Sequence, residues 1–232
     1  VGGGPAGIGA ALASARNGVK TILLERFGYL GGLATGGFVL CIMPMSDGTN
    51  EQQIAGICQE IIDRLDDVGA AVHPRKEDLG SGDKKLLDYW RRYPFTVIGN
   101  RIVLSAQVDP EILKCILNDM MEEAGVKTYL HAWGTEPVME GNKVKGVIFE
   151  SKSGRQAVLA KVVIDSTGDG DLLPYAGADF ETHIDRTMRI ANLSFSYWID
   201  NVDLKKFQDY KSKNQKDYTQ KMRTVRKAGG SA

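Results

Sequence analysis

The chain has 232 residues, 29 basic and 29 acidic side chains, and a formal net charge of zero. Its 43% hydrophobic and 25% charged residues are typical of a globular protein of one to two domains and exclude a disordered or fibrous one. The zero net charge provides no overall field to attract nucleic acid or an anionic membrane. Glycine is the unusual component, since 27 of 232 residues is about 12%, against roughly 7% on average.

The cysteines argue against a disulfide-stabilised or metal-binding protein. Cys41, Cys58 and Cys115 are odd in number and widely spaced, and they form no CxxC pair. This pattern is typical of a reducing compartment, and no secretory signal is visible, so we expect a cytoplasmic protein. The longest uncharged run begins at Phe27, but its glycines and Pro44 interrupt the apolar character that a membrane span requires. We expect no membrane association.

The first hundred residues predict two helices with a strand and a glycine-rich loop between them. Apolar residues at helical spacing predict helices over residues 5–17 and 51–68. Residues 20–25 form a short apolar run typical of a buried parallel strand, and residues 28–37 form the glycine-rich loop. Residues 69–100 show no clear periodicity, which predicts an irregular surface insertion.

The next eighty residues predict one more helix followed by strands. Asp109-Pro110-Glu111 is a helix start signal, and apolar spacing continues the helix to Ala124, before Gly125. Turn residues at Gly141-Asn142 and Ser153-Gly154 predict a three-stranded antiparallel meander. The predicted strands cover residues 126–131, 136–140, 143–150, 156–160 and 162–165.

The character of the chain changes after Ala176, and we place a domain boundary near residue 182. Alternating apolar residues from Leu193 to Ile199 predict a strand of a second sheet, and residues 183–232 are interpreted as the start of a substrate domain. The chain opens directly on a glycine motif that normally follows a strand, and it ends without a closing element. We therefore expect a fragment of a longer protein.

The opening motif indicates dinucleotide binding. Residues 2–7 read GGGPAG and Ala11 follows, which fits G-x-G-x-x-G-x-x-x-A. In this motif Gly2 permits the tight turn, Gly4 allows close approach of a pyrophosphate, and Gly7 allows the helix and the strand to pack. The free N–H groups of the helix N-terminus then face the phosphates. A purely structural strand-to-helix turn is the alternative interpretation.

An acidic residue at the end of the next strand supports the same interpretation. Glu25 lies 18 residues after Gly7, where a carboxylate accepts hydrogen bonds from ribose hydroxyls. A carboxylate at this position repels a 2′-phosphate, which disfavours NADP. A solvated charge at a strand end is the alternative interpretation of Glu25.

Two further glycine-bearing segments separate a flavin from a nicotinamide cofactor. Residues 25–35 read ERFGYLGGLAT, and residues 163–171 read VIDSTGDGD, a strand that ends in an acidic turn. A nicotinamide dinucleotide needs only the first motif, whereas an extended FAD needs further points of close backbone approach. Together with the opening motif, these segments resemble the FAD-dependent oxidoreductases of the glutathione-reductase-like flavoprotein class over roughly residues 1–182. More narrowly, they are similar to the FAD-dependent oxidoreductase family that carries GGLAT and ATGDGD signatures.

The resemblance implies a role in cofactor binding for particular residues. The helix N-terminus would hold the diphosphate, through Gly2, Gly4, Pro5, Ala6 and Gly7. Glu25 would bind the adenosine ribose, with Arg26 beside it. Gly31, Gly32 and Thr35 would continue along the diphosphate towards the flavin.

Two later segments complete the implied site. The strand end at His131–Trp133, represented by Ala132, would border the adenine. The acidic turn Thr167-Gly168-Asp169 would lie against the diphosphate or the ribityl chain, with Asp169 as its polar group.

The resemblance implies an α/β fold, a Rossmann-like FAD/NAD(P)-binding three-layer β/β/α fold with the beginning of a second substrate domain. It implies FAD as cofactor and hydride transfer between a small-molecule substrate and flavin N5. Neither the substrate nor the oligomeric state follows from the sequence. Two alternatives stay open: a tRNA-modifying or non-redox flavoprotein, and an FAD-binding fragment without catalytic activity.

No catalytic residue can be assigned from the sequence. Residues 35–45 are expected near the flavin ring, but Cys41 lacks the second cysteine of the CxxxxC pair found in disulfide reductases, and we interpret it as a small buried hydrophobe. His73, His131 and His183 are far apart, and His183 is the candidate proton donor. No metal-ligand spacing occurs.

Two further clusters have both a functional and a structural interpretation. The basic residues of 211–227 are Lys211, Lys213, Lys216, Lys221, Arg223, Arg226 and Lys227. They could bind an anionic partner, but a solvated helix is the simpler interpretation, and nucleic acid is not expected as a partner. The aromatic residues between Tyr89 and Phe95 are interpreted as packing within the insertion rather than as a substrate cleft.

Overall fold

The computed structural model describes residues 1–181 and 196–227, and the chain divides into two compact units, Val1–Thr182 and His183–Ala232. The first unit combines helices with parallel and antiparallel strands. Its helices are α1 (Pro5–Arg16), α2 (Ile57–Asp67), α3 (Lys84–Trp90), α4 (Pro110–Glu123) and α5 (Leu173–Ala176). Its strands are β1 (Ile22–Leu24), β2 (Cys41–Ile42), β3 (Ala71–Val72), β4 (Val97–Ile98), β5 (Arg101–Ile102), β6 (Ala106–Val108), β7 (Lys127–Tyr129), β8 (Trp133–Glu140), β9 (Lys143–Ser151) and β10 (Gly154–Leu159).

The parallel pair β1–β7 separates two hydrophobic layers. Ile22 is in register with Lys127, and Leu24 with Tyr129. Because successive side chains of a strand point to opposite faces, Leu23 packs into the large cluster formed with the helices, and Leu24 packs with Phe149 of the meander. The predicted three-layer α/β fold is therefore present, with helices on one side of the parallel strands and the meander on the other.

The helices α1 and α4 follow the prediction closely. Pro5 occupies the first position of α1, and Gly18, at φ 81°, follows its end. The Asp109 carboxylate caps α4 by accepting the N–H groups of Glu111 and Ile112, at 2.8 and 3.1 Å. Local signals fix the start of both helices. Pro5 suits the first position of α1 because it lacks an N–H that would have no partner there, and Asp109 satisfies two such N–H groups in α4.

The predicted helix over 51–68 is correct only in its second half. The helix α2 begins at Ile57, after Gly56 at φ 66°. The preceding segment folds back on Met45, whose carbonyl oxygen accepts the N–H groups of Gln53 and Ile54. Ile54 and Val68 are exposed rather than buried, so the predicted apolar face is shorter than its sequence pattern.

The structure corrects the predicted surface insertion at 69–100. This segment contains α3 and two short strands, and Asp83 caps α3 by accepting the N–H groups of Lys85 and Leu86. Trp90 is only 7% exposed and belongs with Leu79 and Leu87 to the main hydrophobic cluster. The segment is therefore part of the core, although Tyr89 and Phe95 lie at the surface.

The predicted meander is confirmed. The strand β9 pairs antiparallel with β8 and with β10, and positive φ angles at Gly141 and Gly154 form the turns. Both turns use the left-handed backbone conformation that glycine adopts without steric cost.

The predicted buried strand over 162–165 is corrected to an exposed extended segment. Val1 lies along one edge of this segment, where it donates its N–H to the Ile164 carbonyl and accepts the Ser166 N–H, both at 2.8 Å. A cleft of about 620 Å³ lies beside it, between α1, β1 and residues 158–164. Val162 is consequently 76% exposed.

A small antiparallel sheet, in the order β2–β6–β3, is buried on one face. Cys41 is in register with Gln107, and Val72 also pairs with Gln107 across the next strand. Ala106 and Val108 face the hydrophobic core on the opposite side of β6. This sheet follows the glycine-rich loop directly and did not emerge from the sequence pattern, because β2 and β3 are two residues long.

The second unit is described only at 196–227. It contains helices α6 (Leu204–Lys213) and α7 (Gln215–Lys227). Leu193 and His183 lie outside the described residues, and residues 196–200 have no regular secondary structure. The predicted strand up to Ile199 is therefore not found in its described part, and the assignment of this unit to substrate binding stays a prediction. Within the described ranges, no helix has the length and apolar character needed to cross a membrane.

Candidate functional site

Three glycine-bearing segments that are far apart in sequence meet at one place. A Cβ atom on Gly2 would overlap the Ser166 carbonyl oxygen, and one on Gly32 would lie 2.9 Å from the Gly4 Cα. The Gly31 N–H also donates to the Gly3 carbonyl oxygen at 2.8 Å. The opening motif therefore packs directly against both later glycine segments, with backbone against backbone.

The opening motif forms a tight turn into an uncapped helix. Gly2 has φ 91°, and a Cβ on Gly7 would overlap the Gly2 carbonyl oxygen, so both positions require glycine. Gly4 is the N-cap residue of α1, and no side chain caps this end. Since Pro5 has no N–H, the free donors of the first turn belong to Ala6 and Gly7. These donors and the helix dipole favour an anion at this end.

Glu25 is the buried acid of the site. Its residue surface is 5% exposed, and its Oε2 accepts the Gly3 N–H at 2.5 Å while Oε1 accepts the Phe27 N–H at 2.7 Å. A carboxylate has about four acceptor positions, so two remain after these bonds. The side chain thus ties the end of β1 to the glycine turn.

A stack of side chains extends from Glu25 towards α4. The Arg26 guanidinium lies 4.8 Å from the Phe27 ring centre, and the Phe27 and Tyr29 rings are parallel at 5.6 Å. The Lys114 ammonium lies 4.5 Å from the Tyr29 ring on the other side. Arg26 thus packs on the neighbouring ring and is exposed to solvent.

The second glycine segment is braced from inside by Thr35. This residue is 1% exposed, and its hydroxyl donates to the Leu30 carbonyl oxygen at 2.8 Å. Gly31, at φ 109°, has space for no Cβ because Thr35 occupies it. Gly31 and Gly32 therefore present backbone, while Thr35 shapes the turn rather than presenting its side chain at the surface.

The strand end at residues 131–132 lies beside Glu25. The Ala132 N–H donates to the Glu25 carbonyl oxygen at 2.9 Å, and the Ala132 side chain is buried in the smaller hydrophobic cluster. His131, at φ 52°, packs against Gly28, where a Cβ would lie 2.6 Å from its Nε2. Gly28 thus makes room for the imidazole, a pairing that sequence reasoning did not identify.

The acidic turn is organised by Asp165, another residue that sequence reasoning did not select. Its carboxylate accepts the N–H groups of Thr167 and Leu172, both at 3.0 Å, and the Thr167 hydroxyl accepts the Asp171 N–H at 2.9 Å. Burial opposes ionisation of Asp165, but these hydrogen bonds hold the pKa of its carboxyl below the usual value.

The organised turn leaves its glycine and second acid accessible. Gly168, at φ 89°, has no non-adjacent atom of residues 1–181 or 196–227 within 4 Å of its Cβ position, and the Asp169 side chain is exposed. Asp165 could have been selected from the sequence because it directly follows the apolar residues 162–164.

The remaining candidate residues do not join this cluster. Cys41 is half-buried and its Sγ accepts the Gln107 Nε2–H at 3.0 Å, so it is not the fully buried hydrophobe expected. His73 lies near Asp66, with 3.7 Å between Nε2 and Oδ1, and His183 lies outside the described residues. Within the described part of the chain, no group of three or more His, Cys, Asp or Glu side chains is placed to hold a metal ion.

The basic residues near the C-terminus are partly engaged within their own helices. The Lys221 ammonium donates to the Tyr210 hydroxyl at 2.8 Å and pairs with Asp217 at 3.0 Å. Lys211 lies over the Tyr218 ring, 5.4 Å from its centre. The side chains of Arg226 and Lys227 lie outside the described residues. These contacts fit the structural interpretation of this segment.

The family model of the FAD-dependent oxidoreductases matches residues 1–230. The chain belongs to this family. Its cofactor is therefore FAD, and the cluster of glycine segments with Glu25 lies within the matched region. No protein of curated function matches this member of the family.

Three solved structures illustrate what this chain is similar to. Thermovibrio ammonificans THI4 is 17% identical, with a TM-score of 0.46, over 75% of this chain and 58% of that chain. A geranylgeranyl bacteriochlorophyll reductase-like protein from Thermoplasma acidophilum is 20% identical, with a TM-score of 0.44, over 76% and 40%. CabE, an aromatic hydroxylase from angucycline biosynthesis, is 18% identical, with a TM-score of 0.46, over 77% and 32%. The chain thus spans less than two thirds of each.

Proposed function

We propose that the chain binds the FAD diphosphate where its three glycine segments meet. We further propose that it acts as an oxidoreductase, which transfers a hydride between a small-molecule substrate and flavin N5. The observation that carries this proposal is the packing of Gly32 against Gly4 and of Ser166 against Gly2. Backbone that comes this close explains why glycine occupies positions 2 and 32.

The cluster fits a dinucleotide in shape. Among the described residues that are not chain neighbours, only the Gly32 Cα comes within 4 Å of a Cβ position at Gly4, at 3.9 Å, and none comes within 4 Å of one at Gly168. Contacts within the protein at the Cβ position therefore do not explain why residues 4 and 168 are glycine. Open space beside a helix N-terminus with free N–H groups is the arrangement that suits a phosphate.

The cluster also fits a dinucleotide in charge and hydrogen bonding. In the proposal, Ala6 and Gly7 donate backbone N–H groups to the diphosphate, with Gly2, Gly4 and Pro5 shaping the turn. Glu25 keeps acceptor positions for the adenosine ribose after binding Gly3 and Phe27. Because its carboxylate is fixed by two backbone donors, it binds without reorganisation of the side chain.

The remaining proposed contacts come from the other two segments. Gly31 and Gly32 approach the cofactor through backbone, held by Thr35 from inside. Asp169 supplies a polar side chain from the acidic turn, alongside Thr167 and Gly168. Arg26 and Ala132 lie at the adenosine end next to Glu25, with Arg26 stacked on Phe27.

In such a site the flavin supplies the redox chemistry when bound, and the protein supplies binding and orientation. Hydrogen bonds to the Glu25 and Asp165 carboxylates hold the glycine turn and the acidic turn in place. No side chain of the described residues is assigned here as a proton donor or acceptor.

The first experiment is the visible spectrum of the purified chain before and after incubation with FAD. A yellow protein that retains flavin through gel filtration, with quenched flavin fluorescence, is the expected result. A colourless protein after incubation would overturn the proposal for this chain, together with every alternative that requires bound FAD.

A further inference from the structure

One face of the small sheet β2–β6–β3 carries mainly apolar side chains that are exposed. We call it the β2 face and define it by Val39, Cys41, Met43, Val72 and Gln107. Cys41 and Val72 are each in register with Gln107, so the three side chains form one row on the same side of the sheet. The opposite side of the sheet packs into the core through Ala106 and Val108. The exposed side chains therefore lie on a sheet that the core holds in place.

The exposure of the β2 face is substantial. Val39 is 53% exposed and Met43 is 58% exposed, on either side of Cys41. None of the five residues is Asp, Glu, Lys, Arg or His. The surface therefore suits a ligand that is itself uncharged and largely apolar, because burying a charge without a partner costs free energy.

The centre of the face has one hydrogen-bond acceptor to spare. The Gln107 Nε2 donates to the Cys41 Sγ at 3.0 Å and to the Pro94 carbonyl oxygen at 3.2 Å. Because a carbonyl oxygen can only accept, the bond to Pro94 fixes the orientation of the amide. Among the described residues, no group donates a hydrogen bond to Gln107 Oε1. This atom can therefore accept a hydrogen bond from a ligand hydroxyl.

The β2 face is continuous with the proposed cofactor site. The Val39 N–H donates to the Leu33 carbonyl oxygen at 2.9 Å, and Leu33 belongs to the turn that follows Gly32. The face thus begins where the second glycine segment ends. Its place beside the proposed cofactor site favours a small-molecule substrate as its ligand.

We propose that the β2 face binds the substrate, and that the substrate is an uncharged, largely apolar molecule with a hydroxyl group that donates to Gln107 Oε1. This inference rests on the proposed function, since it places the substrate beside the FAD site. Val39, Met43 and Val72 contact the apolar body, and Gln107 orients the molecule.

The test uses the full chain loaded with FAD and three naphthalene probes. 2-Naphthol has the hydroxyl donor, 2-methoxynaphthalene lacks it, and 2-naphthoate carries a negative charge. Binding is followed as perturbation of the flavin absorption band, a signal that requires the probe to lie near the flavin. We expect 2-naphthol to bind about fivefold or more tightly than either of the other probes, the value of one hydrogen bond.

Substitutions locate the binding. Gln107→Met should reduce 2-naphthol affinity to that of 2-methoxynaphthalene, and Met43→Asp should weaken both about tenfold by adding a charge to the face. The matched controls are Gln156→Met and Leu159→Asp, on exposed positions of β10, which should leave every probe affinity unchanged.

The outcomes separate the two proposals. Failure to bind FAD overturns the proposed function. Retained FAD with no preference for 2-naphthol, or with a preference unaffected by Gln107→Met, overturns the substrate inference alone. Absence of probe binding together with an oligomer that Met43→Asp dissociates would show instead that the β2 face is a protein interface.

Discussion

The Glu25 Oε2 accepts the N–H of Gly3 at 2.5 Å, across 22 residues of sequence. The bond joins the end of β1 to the glycine turn, and the second carboxylate oxygen holds Phe27 at 2.7 Å. The acid proposed to bind ribose therefore also fixes the turn proposed to bind the diphosphate.

Replacement of Glu25 by alanine should weaken FAD binding at least about tenfold. Hydrogen bonds to a charged group contribute roughly 1.5–3 kcal/mol each, and the variant loses the ribose acceptor as well as the support of the turn. Titration of flavin fluorescence measures the affinity, and thermal unfolding reports the stability.

Two further variants test whether the loss of FAD affinity comes from the Glu25 carboxylate. Glu25→Gln retains the size of the side chain but converts one acceptor oxygen into a donor, so its affinity should fall between those of the wild type and Glu25→Ala. Glu51→Ala, at an exposed acid, should bind FAD as the wild type does. If Glu25→Ala stays folded and binds FAD with unchanged affinity, the ribose assignment is wrong.

Gly4→Ala should impair FAD binding without impairing folding. Gly4 has φ −75°, which alanine adopts freely, and within the described ranges a methyl group there approaches the Gly32 Cα at 3.9 Å and no closer non-adjacent atom. The free energy of unfolding should change by no more than about 1 kcal/mol. The same methyl group would occupy the proposed diphosphate position, so the affinity for FAD should fall about tenfold or more, measured by calorimetric titration.

Gly9→Ala provides the matched control within the same helix. Among the described residues, no atom outside the helix's own backbone and the chain neighbours lies within 4 Å of a Cβ at Gly9, and helix propensity favours alanine by up to about 1 kcal/mol. This variant should be slightly more stable and bind FAD normally. Equal loss of FAD affinity in both variants would place the diphosphate elsewhere.

Asp165 should make the acidic turn sensitive to acid. Its folded-state pKa lies below the usual value of about 3.9, so its contribution to stability is present above that value and is lost as pH falls through the lowered pKa. Urea unfolding should show Asp165→Asn less stable than the wild type at about pH 7, with the difference shrinking near about pH 3. A constant difference at both pH values would contradict the role of the charge.

Trp90 should contribute to the core although it lies in a segment whose sequence resembles a surface insertion. Trp90→Ala should lower the free energy of unfolding by about 3–5 kcal/mol, as expected for a buried aromatic side chain. Its neighbour Tyr89 is 44% exposed, so Tyr89→Ala should cost only about 1 kcal/mol. Chemical denaturation of both variants measures the contrast, and equal losses would disprove the burial of Trp90.

Elements with strong local signals could be predicted from the sequence. Short-range signals determine the helices α1 and α4 and the turns of the meander: prolines and residues at the helix ends, and glycines in the turns. Each signal acts over a few residues, so it can be read from one short stretch of sequence. The start of α2 could not be predicted in this way, because Gln53 and Ile54 bind the distant Met45 carbonyl instead of continuing the helix. The burial of Trp90 likewise depends on partners in other segments.

The sequence by itself determined the glycine motifs, the acid at Glu25 and their resemblance to flavoproteins. Only the tertiary structure decided that Gly2 packs on Ser166, that Gly4 packs on Gly32, and that Thr35 supports the site from inside. It also showed the exposed β2 face, since a strand of two residues has too short a pattern to predict. The physical reason is that the spacing of glycines indicates the positions at which another backbone segment can approach closely. Which segments make these contacts depends on packing across the whole core.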